Sequence, residues 1–169
     1  MELELKYEVD KDYTKNLENL GFIYKKEKHQ IDTYYYIQKD KIYLRIREDL
    51  KSDKCSFDFH EVISDLETKE TEINLSKEEA DKMAYALKGL GYKEVCIIDK
   101  KRKVFQKEEI EIVLDDVKDL GSFLEIEIVK EKGSAEDIKH LKEIAQSLGL
   151  NDTALRPGGY PDFLMQIQN

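Results

Sequence analysis

Glu2-Leu3-Glu4-Leu5-Lys6-Tyr7-Glu8-Val9 alternates without a break, charge at every even position and an apolar group at every odd one. A period of two is what a β-strand presents, because successive side chains leave opposite faces of the pleat. The same sorting returns further along. Arg45 and Arg47 flank Ile46, with Leu44 also on the apolar side. Lys100 and Arg102 align within Asp99-Lys-Lys-Arg-Lys103. Glu109, Glu111 and Asp115 share one face late in the chain, and Glu125 and Glu127 share another. Acidic rows therefore dominate the ends of the chain and basic rows lie between them.

Periodicity alone leaves two architectures open. One is an open sheet with its apolar face under helices and its charged face in water. The other curls about eight strands so that the apolar face points outward and the charged rows face one another across a lumen. Solvated strand faces usually mix Thr, Ser and Gln with their charges, and these rows are fully ionic. This favours an α+β fold built on a closed antiparallel barrel with helices packed outside.

Between the strands, local signals place the helices. Tyr13, Leu17 and Leu20 form a stripe that Asp10 can cap and Gly21 ends. Extended runs follow over 22–37, interrupted once, and over 42–47, 55–63 and 69–75. Ser76 with Glu79 makes a capping box ahead of Ala80, Met83, Ala84, Leu87 and Leu90 at helical spacing. Strand patterning resumes over 92–129. Ser134 and Asp137 then open a helix with Ile138, Leu141, Ala145 and Leu148 inward. A short repeat is visible too: Glu2, Glu4 and Leu20-Gly21-Phe22 recur as Glu70, Glu72 and Leu90-Gly91-Tyr92, as two similar halves around one cavity would show.

The 169 residues suit one domain spanning 1–169, and 38% of them are charged, above the usual quarter. A net charge of −9 argues against nucleic acid and anionic membrane as partners, so a phosphate ligand has to meet a local basic cluster. Cys55 and Cys96 stand far apart, without the spacing of a disulfide framework or a zinc site. With no apolar leader or membrane-length run, the expected location is the cytoplasm.

Unpaired charge inside a lumen is costly, so rows of both signs require a ligand that supplies counter-charge. A triphosphate with its metals does so. Lys6, Arg45, Arg47, Lys100 and Arg102 can grip phosphate oxygens, while Glu2, Glu4, Asp115, Glu125 and Glu127 can hold magnesium or manganese. Glu70, Glu72, Glu109 and Glu111 are further candidates on charged faces. Lys100 to Lys103 is also readable as a nucleic-acid patch, but period two sends Lys101 and Lys103 to the opposite face. Tyr34 to Tyr36 read as strand and core aromatics, and His29 and His140 as solvated residues.

Glu2-Leu-Glu-Leu-Lys6 resembles the ExExK signature of the CYTH superfamily, the triphosphate tunnel metalloenzymes. Tyr43-Leu-Arg-Ile-Arg47 is similar to the family's RxR strand, and Lys100-Lys-Arg102 with Phe105 to its KxR strand. Val113-Leu-Asp115-Asp-Val and Leu120-Gly-Ser-Phe-Leu-Glu125-Ile-Glu127 resemble its metal-binding hairpin. Gly159-Tyr160-Pro-Asp-Phe-Leu164 resembles the close of the class IV adenylate cyclase branch. The resemblance implies an eight-stranded tunnel barrel, dependence on Mg2+ or Mn2+, and a substrate such as ATP, tripolyphosphate or thiamine triphosphate.

It also implies cyclisation of ATP to cyclic AMP and pyrophosphate as the first reaction. Tripolyphosphatase, thiamine triphosphatase or nucleoside triphosphatase activity is the alternative, and non-catalytic triphosphate binding a third reading. Family members are often dimers, so a homodimer is compatible. This fold needs no Gly-rich phosphate loop, and the sequence has none. In one place the sequence departs from the family. His60, within Ser56-Phe-Asp-Phe-His60, stands where a strand lysine is expected. Two roles stay open for it, a hydrogen-bonded strand residue or a phosphate ligand charged by its neighbours.

Overall fold

Residue by residue, the opening strand pairs antiparallel with the last one, from Glu2 opposite Val129 to Val9 opposite Ser122. The structure, a computed structural model, describes residues 1–38, 41–130 and 134–168. In chain order its elements are β1 (Glu2–Val9), α1 (Thr14–Asn19), β2 (Ile23–Gln38), β3 (Ile42–Asp49), β4 (Lys54–Ser64), β5 (Glu67–Leu75) and α2 (Lys77–Gly89). There follow β6 (Cys96–Lys107), β7 (Ile110–Val117), β8 (Gly121–Val129), α3 (Ala135–Ser147), a 3-10 turn (Asp152–Ala154) and α4 (Tyr160–Gln168). The eight strands close into a barrel in the order β1-β5-β4-β3-β2-β6-β7-β8.

That order is unchanged when β1 to β4 are exchanged for β5 to β8, so the repeat seen in the sequence is a property of the topology. Each half lends its first strand to the other. β1 lies along β8, and β5 lies along β4. Where β1 meets β5 the ladder is brief, Glu2 opposite Thr68 and Leu3 opposite Glu67. Beyond it the C-terminal segment takes over the free edge of β1. Leu155 bridges Tyr7, and Arg156 donates its backbone N–H to the Lys6 carbonyl at 2.8 Å.

The apolar rows face outward beneath helices. Leu3, Leu5 and Tyr7 join Ile112, Leu124, Ile126 and Ile128 under α1 and α3, which contribute Leu17, Leu141 and Ala145. On the other side Tyr35, Ile46 and Cys55 meet Ala80 and Leu87 of α2. A third apolar group lies across one end of the barrel, where Tyr160 and Phe163 of α4 pack against Tyr34, Tyr43, Ile98 and Phe123. The tail thereby seals that end with aromatic surface. Among the described residues no helix is long and apolar enough to cross a membrane.

Local chemistry accounts for most boundaries. Both expected capping boxes form, Ser76 with Glu79 and Ser134 with Asp137. The first helix differs from expectation, since Asp12, not Asp10, receives the Thr14 N–H at 2.8 Å. Gly21 (φ +82°) ends that segment in the left-handed region where a Cβ is penalised. The expected interruption of 22–37 is absorbed within one strand as register shifts between Tyr24 and Lys26 and between Tyr34 and Tyr36. The second shift lets Tyr34 face the lumen while Tyr35 packs under α2.

The helical stripe ending at Leu90 stops one residue short, because Leu90 caps α2 and is 77% exposed. Leu141, by contrast, is buried beneath α3. Leu141→Ala should therefore cost about 2–5 kcal/mol of unfolding free energy, whereas Leu90→Ala should stay within about 0.5 kcal/mol of the parent. Urea unfolding followed by circular dichroism measures both.

Candidate active site

The lumen rows are the even positions of β1, β2, β4, β5 and β6 and the odd ones of β3, β7 and β8, and they surround a cavity of about 610 Å³. Its lining includes Glu2, Glu4, Lys6, Arg45, Arg47, His60, Glu70, Glu72, Lys100, Arg102, Glu111, Glu125 and Glu127. Thirteen of the fifteen residues singled out from the sequence thus meet in one space. The exceptions are Glu109 and Asp115.

Glu109 precedes β7, just after Glu108 turns the chain with φ +53°. Its side chain points to the surface, 3.3 Å from Lys130. Parity with Glu111 suggested a shared face, and the turn ends that parity. Asp115 does face inward but lies behind the lining, with all its neighbours cationic or hydroxylic. Arg102 donates to it through Nε at 2.7 Å and Nη2 at 2.5 Å, and the Tyr160 hydroxyl donates at 2.8 Å. These donors occupy its oxygens and make it the anchor of Arg102.

Two further aspartates do the same for the other guanidinium groups. Arg47 donates to Asp32 through Nε and Nη2 at 2.7 and 2.8 Å. Arg45 donates from Nε to Asp58 at 2.8 Å and from Nη2 to Glu70 at 3.3 Å. Burial opposes ionisation of Asp32, but Arg47, Lys100 and Arg45 outweigh it and hold its carboxyl well below the usual range. Each arginine is thus fixed along its inner edge by a buried carboxylate, Arg47 and Arg102 through the forked pairing that guanidinium geometry favours and Arg45 through a single bond to Asp58.

The two lysines differ. Lys6 lies 2.9 Å from Glu4 and 3.3 Å from Glu125, donates to the Gly158 carbonyl at 3.0 Å, and sits over the Tyr160 ring. Burial works against its charge, yet Glu4 and Glu125 raise it above the ordinary lysine range. Lys100 is only 2% exposed, and its closest carboxylate oxygen, on Asp32, is 3.5 Å away. Burial first, then Arg102 and Arg47, push its ammonium down to about 7. An anion arriving in the cavity would return that proton.

Opposite the arginines is the acidic cluster. Carboxylate oxygens of Glu2, Glu4 and Glu127 lie within 4.8 Å of one another. Burial and the nearby Glu125 push Glu4 up to about 7. Burial, then Glu2, keep Glu127 well above the usual carboxylate range. Glu125 goes the other way, lowered by Arg102 and Lys6 despite its burial. Three oxygen donors that resist joint ionisation form a site for a hard divalent cation such as Mg2+ or Mn2+, which would remove the repulsion. The residues fit the metal that the resemblance implies.

Sequence reading missed Lys28 and Arg156 in the lining and Asp32 and Asp58 behind it. The aspartates and Lys28 obey the parity of their strands, which was the signal available. Arg156 comes from the tail and reaches the cavity only because that segment extends the edge of β1.

The CYTH domain model matches residues 1–160. The chain is 32% identical over 163 residues to "Putative adenylate cyclase MJ0240" of Methanocaldococcus jannaschii, covering 89% of this chain and 91% of that protein. Among solved structures it resembles the PH1012 protein of Pyrococcus horikoshii, with a TM-score of 0.89, 25% identity, and coverage of 96% of this chain and 98% of that one. A conserved hypothetical protein of Pyrococcus furiosus gives a TM-score of 0.86 at 26% identity, covering 96% and 99%. A closed eight-stranded barrel with ionic inner rows, matched along nearly its whole length by the family model, makes this chain a member of the CYTH domain family.

Proposed function

We propose that the chain is a divalent-metal-dependent enzyme acting on a triphosphate held in the tunnel, with cyclisation of ATP to cyclic AMP and pyrophosphate as its first reaction. The observation that carries the reading is the opposition, inside one cavity, of the repelling carboxylates Glu2, Glu4 and Glu127 to a belt of fixed guanidinium groups. A metal–triphosphate complex satisfies both at once. The likeness to the Methanocaldococcus protein, at 32% identity, supports the cyclase chemistry.

In this mechanism Arg45, Arg47 and Arg102 present their outer edges to phosphate oxygens while Asp58, Asp32 and Asp115 hold the inner ones. Such preorganised donors bind without rearranging as charge develops. Lys6 and Lys100 add point charges, and Lys100 becomes fully protonated once anionic oxygens approach. Glu2, Glu4 and Glu127, with Glu125 beside them, would hold Mg2+ or Mn2+, whose chemistry is to neutralise the phosphate chain and polarise the reacting phosphorus. In cyclisation the 3′-hydroxyl oxygen gives up its proton to solvent and bonds to the α-phosphorus, the bond from that phosphorus to the α–β bridging oxygen breaks, and pyrophosphate leaves.

A second reading, hydrolysis of tripolyphosphate, thiamine triphosphate or a nucleoside triphosphate, is favoured by the aromatic groups at the cavity. Tyr34, Tyr43 and Tyr160 are engaged, Tyr34 by Arg45 at 3.5 Å, Tyr43 with Asp162, and Tyr160 under Lys6 and Lys100. They are poorly placed to stack an adenine. Incubation of purified protein with ATP, tripolyphosphate and thiamine triphosphate, each with Mg2+ or Mn2+, separates the readings. Cyclic AMP is the product expected from ATP. Orthophosphate alone would replace the cyclase reading with a hydrolase, and binding without product would remove both.

Glu4→Gln and Glu127→Gln should each lower metal-dependent turnover by about 100-fold or more, the scale at which metal sites respond to altered ligand shells. Arg47→Ala should raise KM about tenfold or more, since one charge-assisted hydrogen bond to phosphate is lost. Unaltered kinetics in all three variants would contradict the site.

Stability of the metal-free protein should also depend on pH in a specific way. Glu4 is held at about 7 against an ordinary 4.5, so its ionisation costs stability as pH rises through that interval. Lys100 is held at about 7 against 10.5, so its cost is full below 7 and lifts as pH rises toward 10.5. Thermal melts in chelator should therefore fall as pH rises from about 4.5 to 7, a fall to which Glu127 adds and which Mg2+ with tripolyphosphate abolishes. A melting temperature that is flat or rises over that interval contradicts the electrostatics.

A further inference from the structure

On the neighbouring wall, formed by β4 and β5, donor atoms of Asp58, His60 and Glu70 also lie within 4.8 Å of one another. Two of these groups carry a buried atom that makes no hydrogen bond among the described residues. Asp58 is fully buried, yet its Oδ1 has no hydrogen-bond partner among the described residues, and the same is true of His60 Nε2. His60 Nε2 lies 3.2 Å from Glu70 Oε1 without the alignment of a hydrogen bond. Metal–ligand bonds of 2.0–2.2 Å place neighbouring ligands of one ion roughly 3.0–3.4 Å apart. The spacing is that of two groups sharing an ion.

The strand exchange relates this place to the first cluster. Glu2 opposite Val129 and Glu4 opposite Glu127 correspond to Glu70 opposite His60 and Glu72 opposite Asp58. Glu70 and Asp58 thus stand where the first wall has Glu2 and Glu127, and His60 brings an imidazole to the position that Val129 holds there. Arg45 binds Asp58 Oδ2 and Glu70 Oε1 from behind, fixing both carboxylates in orientation and leaving Asp58 Oδ1 unused.

We infer that Asp58, His60 and Glu70 form a second cation site, selective for an imidazole-binding divalent transition ion such as zinc, cobalt or nickel over magnesium. Magnesium prefers an all-oxygen shell, whereas a nitrogen ligand favours the later transition metals. The two carboxylates and Arg45 leave one net negative charge, so a bound dication presents one net positive charge to the cavity. This is the charge that a strand lysine would carry at position 60. The role of that charge toward phosphate rests on the function proposed above, but the site itself does not.

The test begins with metal-free protein and Zn2+ alone, or Co2+ for its visible absorption, titrated calorimetrically in the presence of excess Mg2+. One ion per chain should bind, and the imidazole resonances of His60 should shift on Zn2+ addition. His60→Gln, with its fold verified by circular dichroism, should bind Zn2+ about 100-fold more weakly or worse. Glu4→Gln should keep the parent affinity for Zn2+. Zn2+ binding equally tight in His60→Gln, no binding by the parent above the Mg2+ background, or unmoved His60 resonances would each overturn the site. In a second arm, Zn2+ should tighten tripolyphosphate binding by the parent but not by His60→Gln, and His60→Lys should reach the tighter value without Zn2+. Zinc held through His60 in a protein that binds no tripolyphosphate would sustain the site and refute the proposed function instead.

Discussion

Like charges enclosed together must be compensated, and in this barrel the compensation is divided between partners built into the wall and partners that arrive with the ligand. The division follows depth. Asp32, Asp58 and Asp115 sit behind the lining and neutralise one edge of each arginine, so the guanidinium groups keep their charge and their aim without closing the cavity. The carboxylates of Glu2, Glu4 and Glu127 lack a guanidinium fixed behind them and lean on one another, although Glu4 also meets the Lys6 ammonium at 2.9 Å. A buried ion pair adds little stability by itself, but it sets geometry. The unbacked cluster is where stability has been given up for binding.

Topology makes this arrangement reachable for so short a chain. Because each half lends its first strand to the other, β1 and β5 stand side by side with acidic rows, and β2, paired with both β3 and β6, brings the Arg45–Arg47 row and the Lys100–Arg102 row together at the far wall. The brief ladder between β1 and β5 leaves part of an edge for the tail to complete. The tail then carries Tyr160 into the lumen, where its hydroxyl meets Asp115 and its ring lies under Lys6 and Lys100. One end of the tunnel is sealed by the same segment that finishes the sheet.

Much of this was legible in alternation. Once β1 is read as a strand with a charged even face, the rows at Arg45 and Arg47, Lys100 and Arg102, and Glu125 and Glu127 follow, and so does a shared lumen. Depth was not legible. Asp115 has the right parity, but only coordinates show it behind Arg102. Asp32 and Asp58 look like isolated acids among aromatic residues until their strands are curled. Glu109 was misassigned because a turn at Glu108 breaks the period, and the course of the chain through Tyr34 to Tyr36 depends on a register shift that propensity does not record. Tail contributions such as Arg156 are invisible to any local pattern, since they depend on an edge left open by strands far away in the chain.

The central claim, that metal and triphosphate complete the charge balance of the cavity, is tested most directly by the protons exchanged on binding. Calorimetric titrations in buffers of different ionisation enthalpy, near neutral pH, would resolve them. The account predicts that Mg2+ binding releases protons from Glu4 and Glu127, and that tripolyphosphate binding takes a proton up at Lys100. Heats that do not depend on the buffer in either titration would contradict it.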